Sequence, residues 1–216
     1  MIGVQMRRLP VFLLLDTSGS MRGEPIESVK VGVQALISSL RQDPNAIDCV
    51  AISIMTFDRE VKVLCSLTPL QEFVLPDFTT PEAGPTHLGM ALEKLCSEVD
   101  SQVLKTDANK KGDWRPLLFI LTDGSPSDKA KYKEMIPEVR KRNFATIVGC
   151  AAGIKARKED LEPLADRVVV LDNMDSSSFA QFFKWVSSSV SVSGTSMGIT
   201  SSIELPPPPP EIHSIF

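Results

Sequence analysis

Short apolar runs rich in β-branched residues alternate along this chain with amphipathic stretches of helical length, and few folds accommodate that alternation. It reads as repeated βαβ units, a mostly parallel sheet with helices on both faces. The strand candidates are residues 11–16, 49–57, 61–67, 116–122, 145–151 and 167–171. "LLFILT" and "VVVL" are apolar without a break, as strands buried on both faces require. "CVAISIMTFD" and "VKVLCSL" are joined only by the "RE" turn. Two residues cannot hold a crossover, so this pair is an antiparallel hairpin in a mixed sheet.

Helices fill the intervals. "EPIESVKVGVQALISSLRQD" sets Ile26, Val29, Val33, Leu36, Ile37 and Leu40 on one face, with Pro25 suited to its first turn. "THLGMALEKLCSEVDSQVL" repeats the stripe. "DKAKYKEMIPEVRKRN" follows an Asp128 placed to cap it, and Pro137 within it predicts a kink or break. "ARKEDLEPLA" is a shorter helix, and "DSSSFAQFFKWVSSSV" starts at an Asp175 cap and turns Phe179, Phe182, Phe183 and Val186 inward. "LQEFVLPDFTTPEAGP" and "TDANKKGDWRP" are loops long enough to carry function.

With 216 residues, one well-covered domain plus a tail is the expected organisation. The domain takes residues 1–192, and residues 193–216 form a Ser/Gly-rich and proline-rich tail whose run of five prolines favours polyproline II, as a spacer or a docking segment. A net charge of −4 argues against non-specific nucleic-acid binding. No window holds about 18 apolar residues, so no membrane insertion is expected. The apolar run after Arg7 and Arg8 is too short for a signal peptide and lacks a small-residue cleavage site. Cys49, Cys65, Cys96 and Cys150 stand singly in apolar segments, as core thiols of a reducing, cytoplasmic setting do.

Ligands of open α/β sheets bind beyond the carboxyl ends of the strands. Three polar clusters fall on that edge: "DTSGSM" after the first strand, "GPTHLG" before the second long helix, and "TDGSPSD" after "LLFIL". Together they offer Asp16, Ser18, Ser20, Thr86 and Asp123, two carboxylates and three hydroxyls. An all-oxygen set suits a hard divalent cation, Mg²⁺ first and Mn²⁺ or Ca²⁺ as alternatives. In a tight loop, positions 16, 18 and 20 turn their side chains to one point, while Gly19 lets backbone approach. Each fragment by itself also reads as a turn whose hydroxyls cap the next helix. Their order at successive strand ends is what points to a site.

"DTSGSM", "GPTHLG" and "LTDGSPSD" together resemble the von Willebrand factor A family and its metal-ion-dependent adhesion site, over about residues 7–192. The resemblance implies a doubly wound, Rossmann-like α/β fold, mostly parallel and six-stranded with one antiparallel edge strand. Asp16, Ser18, Ser20, Thr86 and Asp123 match the family's metal ligands position by position. More narrowly, "RRLPVFLLLDTSGSMRGEPIESV", "GDWRPLLFILTDGSPSD", "FFKWV" and "ELPPPPPEI" are similar to the TerY-type proteins of bacterial tellurite-resistance and stress-response clusters. That similarity implies a cytoplasmic setting beside a Ser/Thr kinase and a PP2C-type phosphatase.

The resemblance implies a metal-dependent protein-interaction module in which a partner's Asp or Glu reaches the cation, with His87, Arg22, Ser125 and Ser127 on the rim selecting that partner. One alternative is a Mg²⁺-dependent phosphotransferase or hydrolase of haloacid-dehalogenase type. It needs an acid/base Asp two residues after the first, and position 18 is Ser. Another is a scaffold that holds kinase and phosphatase through helix faces or the tail, with the metal site as a switch; in a separate reading, Glu204 or Glu211 supplies the carboxylate to a neighbouring molecule's metal.

Overall fold

In a computed structural model of the chain, residues 7–108, 110–196, 205–209 and 213–215 are described. Seven strands form one sheet in the order β3-β2-β1-β4-β5-β6-β7. They are β1 (Leu9–Asp16), β2 (Val50–Phe57), β3 (Val61–Pro69), β4 (Leu117–Thr122), β5 (Thr146–Ala152), β6 (Arg167–Leu171) and β7 (His213–Ile215). β1, β2, β4, β5 and β6 are mutually parallel, and β3 runs antiparallel to β2, as the short connection over residues 58–60 requires. The expected six-stranded sheet with its antiparallel edge is present. β7 adds a short antiparallel strand on the opposite edge, from the segment expected to be tail.

Alternate side chains of the central strands feed two cores, as the two-residue period dictates. Leu13 and Leu15 face a layer built with α1 (Glu24–Leu40) and α6 (Ser176–Ser196). Phe12 and Leu14 face α3 (Leu88–Gln102) and α4 (Lys129–Lys141). All six stripe residues of α1 and all four apolar residues expected to turn inward from α6 are buried. Asp175 caps α6 by accepting the Ser178 amide at 2.8 Å.

Three details depart from the sequence reading. A short helix, α2 (Pro44–Cys49), precedes β2, capped by Asp43, which accepts the amides of Asn45 and Ala46. α4 runs through Pro137 unbroken, and α5 (Lys158–Leu161) is only one turn long. Asp128 sits at the start of α4 but makes no side-chain cap there; its carboxylate accepts Gly89 N at 3.0 Å and Met90 N at 2.9 Å, in the first turn of α3. The long loop over residues 70–87 is pinned by buried Leu70, Phe73 and Phe78, and the Arg41 guanidinium donates to the Leu70 and Phe73 carbonyls.

α1 and α6 meet where Gly32 leaves room for a ring. A Cβ there lies 2.2 Å from Phe183 Cδ2, and the Phe183 ring is buried with nowhere to swing. Gly32→Ala gains up to about 1 kcal/mol of helix propensity but incurs the larger cost of overpacking. The expected net loss is about 1–2 kcal/mol in urea unfolding, and an unchanged midpoint shows that this contact is looser than described.

Candidate metal centre

β1 pairs with β2 on one side and β4 on the other, so the chain reverses its winding direction between β1 and β4. The segments leaving those two strands therefore emerge side by side at a topological switch point. Their register brings Leu15 opposite Leu121, which sets Asp16 and Asp123 at neighbouring strand ends.

Four of the five expected residues form one connected chain. Ser18 N donates to Asp16 Oδ1 at 2.7 Å, Ser18 Oγ lies 3.3 Å from Ser20 Oγ, and Ser20 Oγ donates to Asp123 Oδ1 at 2.9 Å. Thr122 Oγ1, a residue the sequence reading passed over, donates to the remaining oxygen of Asp16 at 2.6 Å. Thr86, the fifth residue, is buried against the segment leaving β4: a side chain on Gly124 would set its Cβ 3.4 Å from Thr86 Oγ1. Thr86 is held by Ser127, whose amide donates to the Thr86 carbonyl at 2.8 Å and whose hydroxyl accepts the Thr86 amide at 3.1 Å.

The loop geometry explains Gly19. A Cβ at this position lies 2.8 Å from the Ala83 Cα, a contact that backbone cannot yield to. "DTSGSM" thus packs against the end of the 70–87 loop. Asp58, at the end of β2, ties the other side together: it accepts Thr17 Oγ1 at 3.0 Å and Glu60 N at 2.9 Å, while its carbonyl accepts His87 N at 3.0 Å. Asp58 had a readable signal, a carboxylate closing the strand "ISIMTF" at the same sheet edge.

The rim residues divide by what they touch. His87 Nδ1 is 3.1 Å from the Arg59 carbonyl, and Ser125 hydrogen-bonds the Asp160 carboxylate. Ser127 serves Thr86, and Arg22 is exposed near Glu82 at 3.9 Å. Ile154, 96% exposed in the loop after β5, is the most exposed large apolar side chain among the described residues.

Asp16 and Asp123 are both buried, and burial is the leading influence on each. It lifts Asp16 from the usual 3.8 to about 6 despite the hydrogen bonds from Thr122 and Ser18, and the Asp123 charge adds to the rise. Asp123 is raised in the same way, and its Oδ2 is buried with no hydrogen-bond partner. An unpartnered buried carboxylate oxygen needs an explanation. A hard cation fits it: the donors are all oxygens, two carboxylates balance a divalent charge, and an orphaned oxygen gains a ligand. Among the described residues no third carboxylate, histidine or cysteine completes a soft or purely anionic cluster here. No described helix is long and apolar enough to cross a membrane.

The chain is similar to known proteins in sequence and in fold. The family model for the von Willebrand factor type A domain matches residues 11–184. An uncharacterized protein of Synechocystis sp. is 28% identical over 127 residues, 55% of this chain and 26% of that protein, so the chain spans about a quarter of that relative's length. A von Willebrand factor type A structure from Catenulispora acidiphila superposes with a TM-score of 0.65 at 16% identity, covering 86% of this chain and 43% of its own. Proximal thread matrix protein 1 of the mussel byssus, described with a zinc-occupied MIDAS motif, superposes at 0.63 with 17% identity over 84% of this chain and 48% of its own. At these identities the structural likenesses establish the fold.

A carboxyl whose pKa rises on folding holds its proton more tightly folded than unfolded. Its contribution to stability is fully present below pH 3.8 and is lost as pH climbs through about 6. In EDTA, the stability of Asp16→Asn relative to wild type therefore drifts in favour of the variant between pH 3.5 and pH 7.5, by up to roughly 3 kcal/mol. Urea unfolding of both proteins across that range reads it, and a flat difference shows that Asp16 is not desolvated.

Proposed function

The chain belongs to the von Willebrand factor type A domain family, and from that membership we propose that it is a metal-dependent protein-interaction module. In this reading Asp16, Ser18, Ser20, Thr86 and Asp123 hold one divalent cation, with Mg²⁺ preferred by the hard oxygen donors. The observation that carries it is the buried, unpartnered Oδ2 of Asp123, within a hydrogen-bonded chain that reaches Asp16. The zinc-occupied motif described for the mussel protein of the same fold supports it.

When bound, the cation supplies a positive centre at the sheet edge that attracts an external carboxylate. The chain's own residues do the rest. Asp16 and Asp123 bring only enough charge to neutralise a divalent ion, so a partner's Asp or Glu is still attracted. Thr122 and the Ser18 amide orient Asp16, Ser127 fixes Thr86, and Gly19 lets the 70–87 loop close against the site. The exposed Ile154 and the half-buried His87 shape the face the partner meets, so an apolar side chain next to the acidic residue favours binding.

A haloacid-dehalogenase-type reaction is less well supported. The neighbour that should carry the second, acid/base carboxylate is Ser18, which is engaged with Ser20. In this proposal the setting is a cytoplasmic stress-response system containing a Ser/Thr kinase and a PP2C-type phosphatase, a reading supported by the similarity of "RRLPVFLLLDTSGSM" and "ELPPPPPEI" to TerY-type proteins. Glu204 and Glu211, considered as donors to a neighbour's metal, lie outside the described residues.

Calorimetric titration with Mg²⁺ and Mn²⁺ tests the site. Asp16→Ala and Asp123→Ala are each expected to weaken binding by about tenfold or more. Pull-down with wild type in Mg²⁺, wild type in EDTA, and Asp16→Ala then tests the activity. Partners should be held only in the first case, and retention of every partner in all three sinks the proposal.

A further inference from the structure

β6 is the strand Arg-Val-Val-Val-Leu, paired along one side with β5. Left bare, its other side would present unpaired backbone N–H and C=O groups on an apolar strand, the arrangement that invites pairing with another chain. Residues from the proline-rich tail cover it. His213–Ile215 pair antiparallel with Val168, Val169 and Val170. Leu205 packs against the α1–α6 core, and the Pro206 carbonyl accepts Trp185 Nε1 at 2.9 Å and Arg167 Nη1 at 3.3 Å.

The division of labour follows from proline chemistry. Prolines have no N–H to give to a ladder, so the run itself cannot pair with β6. Residues 206–209, all proline, form a stiff lead of about 3.1 Å per residue that starts at the Trp185–Arg167 notch. A three-residue strand is marginal alone. Tethering compensates, because a covalently attached segment acts at an effective concentration in the millimolar range and outcompetes a second molecule at micromolar protein.

We propose that the free side of β6 is a homotypic association surface, through which two copies of this chain pair edge to edge about a two-fold axis, and that the proline-led tail is the cis latch keeping it closed. The strand is self-complementary for such pairing. Arg167 stands at its start and Asp172 just past its end, so antiparallel pairing sets Arg167 of one copy beside Asp172 of the other, with valines between. The surface lies on the opposite edge of the sheet from β3 and uses no residue of the proposed metal centre.

The full-length chain carrying His213→Pro, Ser214→Pro and Ile215→Pro together tests this. It keeps the tail's length and the Leu205–Pro206 anchor but removes every ladder N–H from the latch. All measurements are made in EDTA, so failure of the metal-centre reading has no bearing on them. Sedimentation velocity at micromolar concentration is expected to show wild type as a monomer and the triple variant as a dimer. Adding Val170→Lys to the triple variant should return it to the monomer by placing a charge on the pairing edge. Hydrogen exchange at the amides of Val168–Val170 that face β7 should be about tenfold or more faster in this monomeric quadruple variant than in wild type, while those facing β5 stay protected. A monomeric triple variant overturns the proposal, as does a dimer indifferent to Val170→Lys or an exchange rate at β6 that the prolines leave unchanged.

Discussion

Two carboxylates withdrawn from water at the ends of adjacent strands set the terms for the upper edge of this molecule. Asp16 and Asp123 lie where the sheet changes winding direction, and burying both charges there is unfavourable unless something compensates. The nearby groups compensate in part. Thr122 and the Ser18 amide donate to Asp16, and Ser20 donates to Asp123. Around this chain, Gly19 admits Ala83, Asp58 joins the β2–β3 turn to Thr17 and the start of α3, and Ser127 secures Thr86. Each of these contacts serves a geometry whose one unmet demand is the free oxygen of Asp123.

How much of this is legible in the sequence depends on the range of the interaction. Strands β1, β4 and β6 announce themselves, because a strand buried on both faces must be apolar throughout. The α1 and α6 stripes are equally plain, since their periodicity records which face is covered. The gathering of Asp16, Ser18, Ser20 and Asp123 is legible because polar clusters that follow neighbouring strands must share one sheet edge once the topology is fixed. Asp128 shows the limit. A carboxylate before an apolar stripe predicts a local cap, yet α3 approaches so closely at Gly89, where a Cβ would meet the Tyr132 amide at 2.4 Å, that the Asp128 carboxylate serves α3 instead. Local propensity cannot report a contact made across 39 residues of chain.

The tail makes the same point in reverse. Composition alone marks residues 193–216 as unable to build a core, and none of that segment is needed to form the six expected strands. Yet β6 is an apolar strand with only β5 beside it unless something else is supplied, which leaves a row of its backbone groups unpaired. That demand belongs to the edge of the sheet, so no window of the tail sequence contains it. The proline run becomes interpretable only once Trp185 and Arg167 are seen to converge on a single proline carbonyl.

Taken together, the two edges suggest why an interaction module would be built this way. At the proposed metal edge, recognition is a charge interaction of small area, which needs rigid positioning and further contacts at the rim to become selective. At the β6 edge, any extended backbone offers matching hydrogen bonds, so recognition there is strong but indiscriminate unless something competes. A chain that must bind through the first edge therefore gains from occupying the second. Supplying the occupant in cis closes the long apolar edge of β6 and leaves only the three-residue strand His213–Ile215 outermost.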